Sequence, residues 1–260
     1  MGLVPRRFME RAIFIQIADI LQREKFKAVH LYMSGEPMLH PEFADLVLDL
    51  SARSISADIA TRMTANLDLD RLANVRVPLI FEITVDSLDP EVQRSVAPGI
   101  SSERMIENLD GLLALKNQFI KFRGITIAGS HNERNLKDID RFFRKRGIPL
   151  FVKTMGYYMP LRAGPEEIKR VQALLPSRGS PRFEVRNGRI VSKVRHCPFH
   201  EPAISADGDV TICCHDMLFS ASAGNVLKSG SLIKILKSPE YVKARRAGDR
   251  MMLDCCKGCN

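Results

Sequence analysis

The chain has 260 residues, 45% of them hydrophobic and 27% charged, which excludes a disordered tract and suffices for one large or two modest domains with buried cores. No apolar run approaches the roughly 18 residues that span a bilayer, and the first residues carry no signal-peptide core, so no membrane partner and a cytoplasmic location are expected. The net charge of +9 is compatible with an anionic partner such as nucleic acid, but no nucleic-acid motif accompanies the basic residues, and solvated helix and loop faces account for them.

Taken in order, the periodicity predicts a helix over Phe8–Glu24, with Ile13, Ile17, Ile20 and Leu21 at helical spacing. A short apolar strand over Ala28–Met33 ends at Ser34-Gly35-Glu36-Pro37. His40-Pro41 then opens a helix carrying Phe43, Leu46, Val47 and Leu50. The same unit recurs: a strand over Ala57–Met63 and a short helix near Asp70, then a strand over Leu79–Val85 and a helix opened by Asp89-Pro90. A helix over Ser102–Lys116 precedes a strand over Phe122–Ala128. Asn135 is expected to cap the next helix, which Gly147 ends, and Leu150–Thr154 is the last strand of the series.

Alternating strand and helix argue for a parallel sheet with crossover helices, and about five strands at roughly 30 residues per unit fill the first ~155 residues. A closed eight-unit barrel takes ~250 residues, so an open sheet or an incomplete barrel is expected. Glu82, Thr84 and Asp86 share one strand face, His30 and Tyr32 another, and Thr126 lies between Ile125 and Ile127. A sheet covered by helices on both sides is apolar throughout, so this polarity favours a partial barrel with a polar ligand in its lumen over polar residues satisfying one another within a packed sheet.

Beyond Gly156 the character changes. A helix over Pro165–Leu175 and a linker over Pro176–Pro181 lead to two hairpins, one turning at Asn187-Gly188 and the other at Asp207-Gly208. Short helices begin at Ser231 and Pro239.

All six cysteines lie beyond residue 196. The Asp207-Gly208 hairpin folds Cys213 back beside the strand that follows Cys197, and Cys256-Lys-Gly-Cys259 supplies two more thiols from a tight turn. In a reducing compartment such clustered thiols read as metal ligands before disulfides. Four thiolates (Cys197, Cys213, Cys256 and Cys259) suit either a [4Fe–4S] cluster or structural zinc. Cys214 and Cys255 are alternatives within their doublets, and His196, His200 and His215 lie close enough in sequence to substitute.

The spacing Cys197-x10-Gly208-x4-Cys213, then Gly224-Asn225-Val226, Ser231-Leu232 and the terminal Cys-x-x-Cys, resembles the C-terminal SPASM/twitch domain of radical S-adenosylmethionine enzymes. With four ligand positions it is most similar to the shorter twitch form, and the resemblance implies one auxiliary [4Fe–4S] cluster rather than zinc. Ser34-Gly35-Glu36-Pro37 resembles the GGEP motif of that family, with Ser34 in place of the first glycine. Thr84-Val85-Asp86-Ser87 resembles the strand whose polar residues meet the cofactor's ribose. Ile125-Thr126-Ile127 with Asn132 falls where another cofactor-contacting strand lies.

What the resemblance implies is an α/β chain: a partial (β/α)6-type TIM barrel lacking its first strand over 1–160, a helix and linker over 161–182, and a small α+β iron–sulfur domain over 183–260. It implies an oxidoreductase that cleaves S-adenosylmethionine to a 5′-deoxyadenosyl radical and abstracts a substrate hydrogen atom. Ser34, Gly35, Glu36 and Pro37 would receive the cofactor's amino group, and Thr84 and Asp86 its ribose. A small-molecule or peptide substrate and a reductant such as flavodoxin or ferredoxin follow from the same likeness. One departure stands out: no cysteine precedes Cys197, whereas the family places C-x-x-x-C-x-x-C ahead of GGEP. The catalytic [4Fe–4S] cluster is therefore expected only in a longer chain, a misassigned start or a fragment being the expected cause, and these 260 residues are expected to be inactive alone. A non-catalytic iron–sulfur or zinc protein serving binding or electron transfer is the competing expectation.

Overall fold

The computed structural model describes residues 8–32, 35–97, 99–154, 165–193, 201–213, 216 and 219–249. It divides into two compact units, Phe26–Thr154 and a second formed by Met1–Lys25 with Met155–Asn260.

The Phe26–Thr154 unit holds a five-stranded sheet of β1 (Ala28–His30), β2 (Ser56–Thr61), β3 (Leu79–Thr84), β4 (Ile120–Ala128) and β5 (Leu150–Thr154). The spatial order is β1-β2-β3-β4-β5, and every pairing is parallel. Each crossover therefore leads to the adjacent strand in the same direction. Right-handed connections then put all the helices on one face of the sheet. Those helices are α2 (Phe43–Ala52), α3 (Leu69–Leu72), α4 (Pro90–Val96), α5 (Ser102–Ala114) and α6 (Leu136–Arg144). A doubly wound sheet would reverse direction partway. This one does not, which is the geometry of a barrel wall.

Burial follows that one-sided cover. Ala57, Ile59, Leu79, Phe81 and Ile83 are buried, while their neighbours Asp58, Ala60, Ile80, Glu82 and Thr84 are only partly so. On β4, Gly124 lies so close to α6 that an added Cβ would stand 2.7 Å from the Phe143 ring. Thr126 shares the strand parity of Gly124 and is fully buried, so it belongs to the helix-covered side. The expectation that Thr126 contributes to the polar face is corrected. Its hydroxyl is satisfied within the covered layer, where it accepts from Asn132 Nδ2 at 3.2 Å.

One boundary also shifts, and one expected cap bond is not made. A 3-10 turn over Pro37–Leu39 precedes α2, which starts at Phe43 rather than Pro41. Asn135 occupies the N-cap position of α6 but makes no side-chain cap bond.

In the second unit, α1 (Arg11–Arg23) buries Ile17, Ala18, Ile20 and Leu21. Helix α7 (Pro165–Leu174) packs Val171 against Phe183 of the hairpin β6 (Phe183–Arg186) and β7 (Arg189–Ser192). Asn187 and Gly188 both have positive φ, 51° and 67°, as a type I′ turn requires. A three-stranded antiparallel sheet of β8 (Ala203–Ile204), β9 (Asp209–Thr211) and β10 (Ser222–Asn225) has the order β10-β9-β8. Three short helices follow: α8 (Val226–Ser229), α9 (Leu232–Leu236) and α10 (Pro239–Asp249).

Two parts of this unit that are distant in sequence are joined at α9. Glu24, just past α1, accepts from the Leu232 and Ile233 amides at 3.0 Å each and from the Ser231 hydroxyl. Arg23 donates to the Gly230 carbonyl at 2.8 Å. A carboxylate there satisfies amide donors that a helix leaves open and faces the positive end of its dipole.

Candidate cofactor and metal sites

A parallel sheet brings all its strand C-termini to one edge, where α/β folds build their sites. Four of those ends are tied together by side chains. Behind β1, Glu36 sits in the Gly35-Glu36-Pro37 turn. Its Oε1 accepts from Thr61 Oγ1 at 2.6 Å and from the Met38 amide at 3.2 Å, and its Oε2 accepts from the Arg62 amide at 2.8 Å. The Thr61 hydroxyl in turn accepts from the Met63 amide at 2.8 Å, so both its donor and an acceptor position are used.

Arg62, behind β2, carries the tie to β3 through an ion pair from Nη1 to Asp86 Oδ2. The Asp86 side chain is only 3% exposed, against 29% for Arg62. The pair is therefore a desolvated carboxylate held by a guanidinium that still reaches solvent. From behind β4, Asn132 donates to the Asp86 carbonyl and to the Ile127 carbonyl, at 2.9 Å each, while its Oδ1 accepts from the Gly129 amide at 2.9 Å. The run Glu36–Arg62–Asp86–Asn132 is a continuous belt across the rim. Two more side chains brace the loops beneath it. Asn108 donates to the Met63 and Ala65 carbonyls at 2.6 and 2.7 Å, and Gln93 accepts from the Ser87 amide at 3.1 Å.

Beside the belt, a small cavity is lined by Arg62, Thr84, Gln93 and Ser102 among others. At Gly35 an added Cβ would meet no atom within 4 Å, so the turn fronts open space. His131 stands next to Asn132 with both ring nitrogens buried and without a hydrogen-bond partner among the described residues. Burial pushes its pKa down, and the Asp86 charge pulls the other way.

The expected site residues thus fall into three groups. Gly35, Glu36, Pro37, Thr84 and Asp86 all lie on this rim. Ser34 lies outside the described residues, as do Cys197, Cys256, Cys259 and the alternatives Cys214 and Cys255. Cys213 is described and buried, at the end of the β9 hairpin arm.

Three residues beyond Cys213, Asp216 is 2% exposed. Its carboxylate accepts from the Thr211 hydroxyl (2.8 Å), the Ser220 amide (3.0 Å), the Ser220 hydroxyl (2.8 Å) and the Ala221 amide (2.8 Å). Four donors fill the acceptor positions of one carboxylate, so Asp216 ties Thr211 to Ser220 and Ala221 and is not left over as a ligand. A buried thiol such as that of Cys213 fits the role of a cluster or zinc ligand.

Sequence reading missed Thr61, Arg62 and Asp216. Thr61-Arg62 carries no motif; the available signal was its place at the end of a predicted strand, level with the Gly35-Glu36-Pro37 turn.

Comparison with known proteins adds to this geometry. Residues 3–143 match the Radical SAM superfamily, and residues 196–260 match SPASM, an iron–sulfur cluster-binding domain. No characterised protein sequence matches. Among solved structures, native anSMEcpe with bound AdoMet is 12% identical with a TM-score of 0.64, the match covering 98% of this chain and 81% of that one. Streptococcus suis SuiB bound to its precursor peptide SuiA is 13% identical with a TM-score of 0.62, covering 95% and 64%. BtrN in complex with AdoMet and 2-DOIA is 12% identical with a TM-score of 0.51, covering 98% and 81%. These likenesses agree with a partial barrel of parallel strands followed by a small domain.

Proposed function

The chain belongs to the radical S-adenosylmethionine superfamily, and on that premise we propose that its rim receives S-adenosylmethionine and that residues 196–260 hold an auxiliary [4Fe–4S] cluster through Cys197, Cys213, Cys256 and Cys259. In a longer chain that also carried the C-x-x-x-C-x-x-C segment, the cluster held there would, once reduced, supply one electron for cleavage of bound S-adenosylmethionine to methionine and a 5′-deoxyadenosyl radical, which would take a hydrogen atom from the substrate to give 5′-deoxyadenosine.

The observation that carries this reading is the state of Glu36. A carboxylate offers about four acceptor positions, and three of those on Glu36 are filled from its own unit. One position remains on Oε2, beside the open face of Gly35. That suits a single N–H of a ligand ammonium group, held by a carboxylate whose orientation is already fixed. Asp86 is buried under Arg62, so its role passes through that guanidinium. Thr84 would meet a ribose hydroxyl, a role supported by its place in the lining of the cavity. Pro37 follows Glu36 in the turn at the ligand's amino acid end, and Ser34, outside the described residues, is assigned to the same end by its place in the sequence motif. A peptide or small molecule is the substrate class, as SuiB bound to SuiA suggests by likeness, and flavodoxin or ferredoxin is the class of reductant.

The test is the formation of 5′-deoxyadenosine under a strong reductant. No cysteine precedes Cys197, so the 260-residue chain is expected to bind S-adenosylmethionine yet leave it intact. The same chain extended upstream by a segment with C-x-x-x-C-x-x-C is expected to cleave it. Cleavage by the 260 residues alone, or none by the extended chain, overturns the proposal.

A further inference from the structure

The face of the sheet opposite the helices carries a row with one ionisable side chain from each of the five strands, His30, Asp58, Glu82, Arg123 and Lys153, while exposed Lys121 of β4 shares the face and lies outside the row. The strand register puts them on one side, with His30 opposite Asp58 and Glu82 opposite Arg123, while Lys153 pairs with Ile127 of the same β4 parity as Arg123. They form a connected row. His30 Nδ1 is 3.6 Å from Asp58 Oδ2, Arg123 Nη1 is 3.8 Å from the same oxygen and 3.3 Å from Glu82 Oε1, and Lys153 Nζ is 3.7 Å from Glu82 Oε2.

Two properties separate this row from a structural ion-pair network. Its contacts are long, since charge-assisted bonds that hold a fold together close to about 2.7–2.9 Å. The second is its polarity. The acids sit on β2 and β3 and the bases on β4 and β5, so the floor has a negative half and a positive half. The bases remain accessible, with Arg123 40% and Lys153 54% exposed. Among the described residues Arg123 makes one hydrogen bond, through Nη1, which leaves most of its fork of donors for an incoming acceptor.

A lone anion over this floor is drawn to one half and repelled by the other, and a lone cation meets the reverse. A ligand bearing both charges, laid across the strands, meets its complement at each end. We propose that the sheet floor selects a zwitterionic substrate, a short peptide or peptide-like molecule, with its ammonium over Asp58 and Glu82 and its carboxylate over Arg123 and Lys153. This rests on the reading that the polar face of the barrel is where the substrate lies. The two halves are centred two strand spacings apart, roughly 10 Å, which an extended tripeptide spans at about 3.3–3.6 Å per residue.

The test is an NMR titration of the 260-residue chain with triglycine, N-acetyl-triglycine and triglycine amide, following the Arg123 and Lys153 side-chain nitrogens. Triglycine is expected to bind about fivefold more tightly than either capped form, the size of one exposed ion pair. Asp58→Asn is expected to weaken triglycine by a similar factor and leave N-acetyl-triglycine unchanged; Lys153→Gln, at an exposed site that does not threaten folding, does the converse with triglycine amide. Equal binding of all three probes, or none by triglycine, overturns the proposal. S-adenosylmethionine binding measured on the same samples separates the claims: its loss in the parent chain counts against the function proposed for the rim, whereas its retention with unselective peptide binding counts against the floor alone.

Discussion

At Glu36, a residue legible in the sequence and its surroundings differ in how they could be read. The Gly-Glu-Pro turn is a local pattern, visible in three consecutive letters. Its partners, Thr61 and Arg62, lie 25 and 26 residues away on another strand, and no local pattern marks them. The same holds for Asp86, whose place after β3 is readable but whose ion pair with Arg62 is not. His131 gives this scale its prediction. Its ordinary pKa of 6.5 is pushed down by burial, so the folded chain refuses a proton that the unfolded chain accepts. The stability it contributes is complete above about pH 6.5 and is lost as the pH falls from there towards the lowered folded value. Urea midpoints measured from about pH 7 to pH 5 should therefore fall more steeply for the parent chain than for His131→Gln. Parallel slopes would show that His131 takes up its proton equally in both states.

Among the elements, the parallel strands themselves were readable because they recur at the length of one βα unit and hydrophobic residues alternate within them, whereas their spatial order is seen only in the fold. The face of Thr126 was misjudged for a physical reason. Polar alternation in a single strand shows which residues share a side, not which side the helices take; Gly124, trimmed to admit Phe143, settles that. Strand β10 was missed because its sequence, Ser222-Ala-Gly-Asn225, lacks the β-branched and aromatic residues that signal a strand. Nor does any local pattern announce that Glu24 caps a helix 207–209 residues later. Losing a helix cap costs about 1–2 kcal/mol. Glu24→Ala should lower stability by that amount in a urea titration, and Glu24→Gln, which keeps one acceptor oxygen, by less. An unchanged midpoint in Glu24→Ala would mean that solvent replaces the cap without loss.

For the molecule as a whole, the decisive feature is that the sheet never reverses direction. Five adjacent parallel strands with helices on one side leave the other face for polar side chains, and their C-terminal edge is closed by the belt from Glu36 to Asn132. The cysteine spacing pointed to a separate thiolate domain before any fold was known, and the match to an iron–sulfur cluster-binding domain over residues 196–260 agrees with it. The most direct measurement is the metal content of the chain after anaerobic reconstitution with iron and sulfide. The account predicts a brown protein with about four irons per chain, and little iron in Cys213→Ala. A colourless chain that instead retains one tightly held zinc would contradict it.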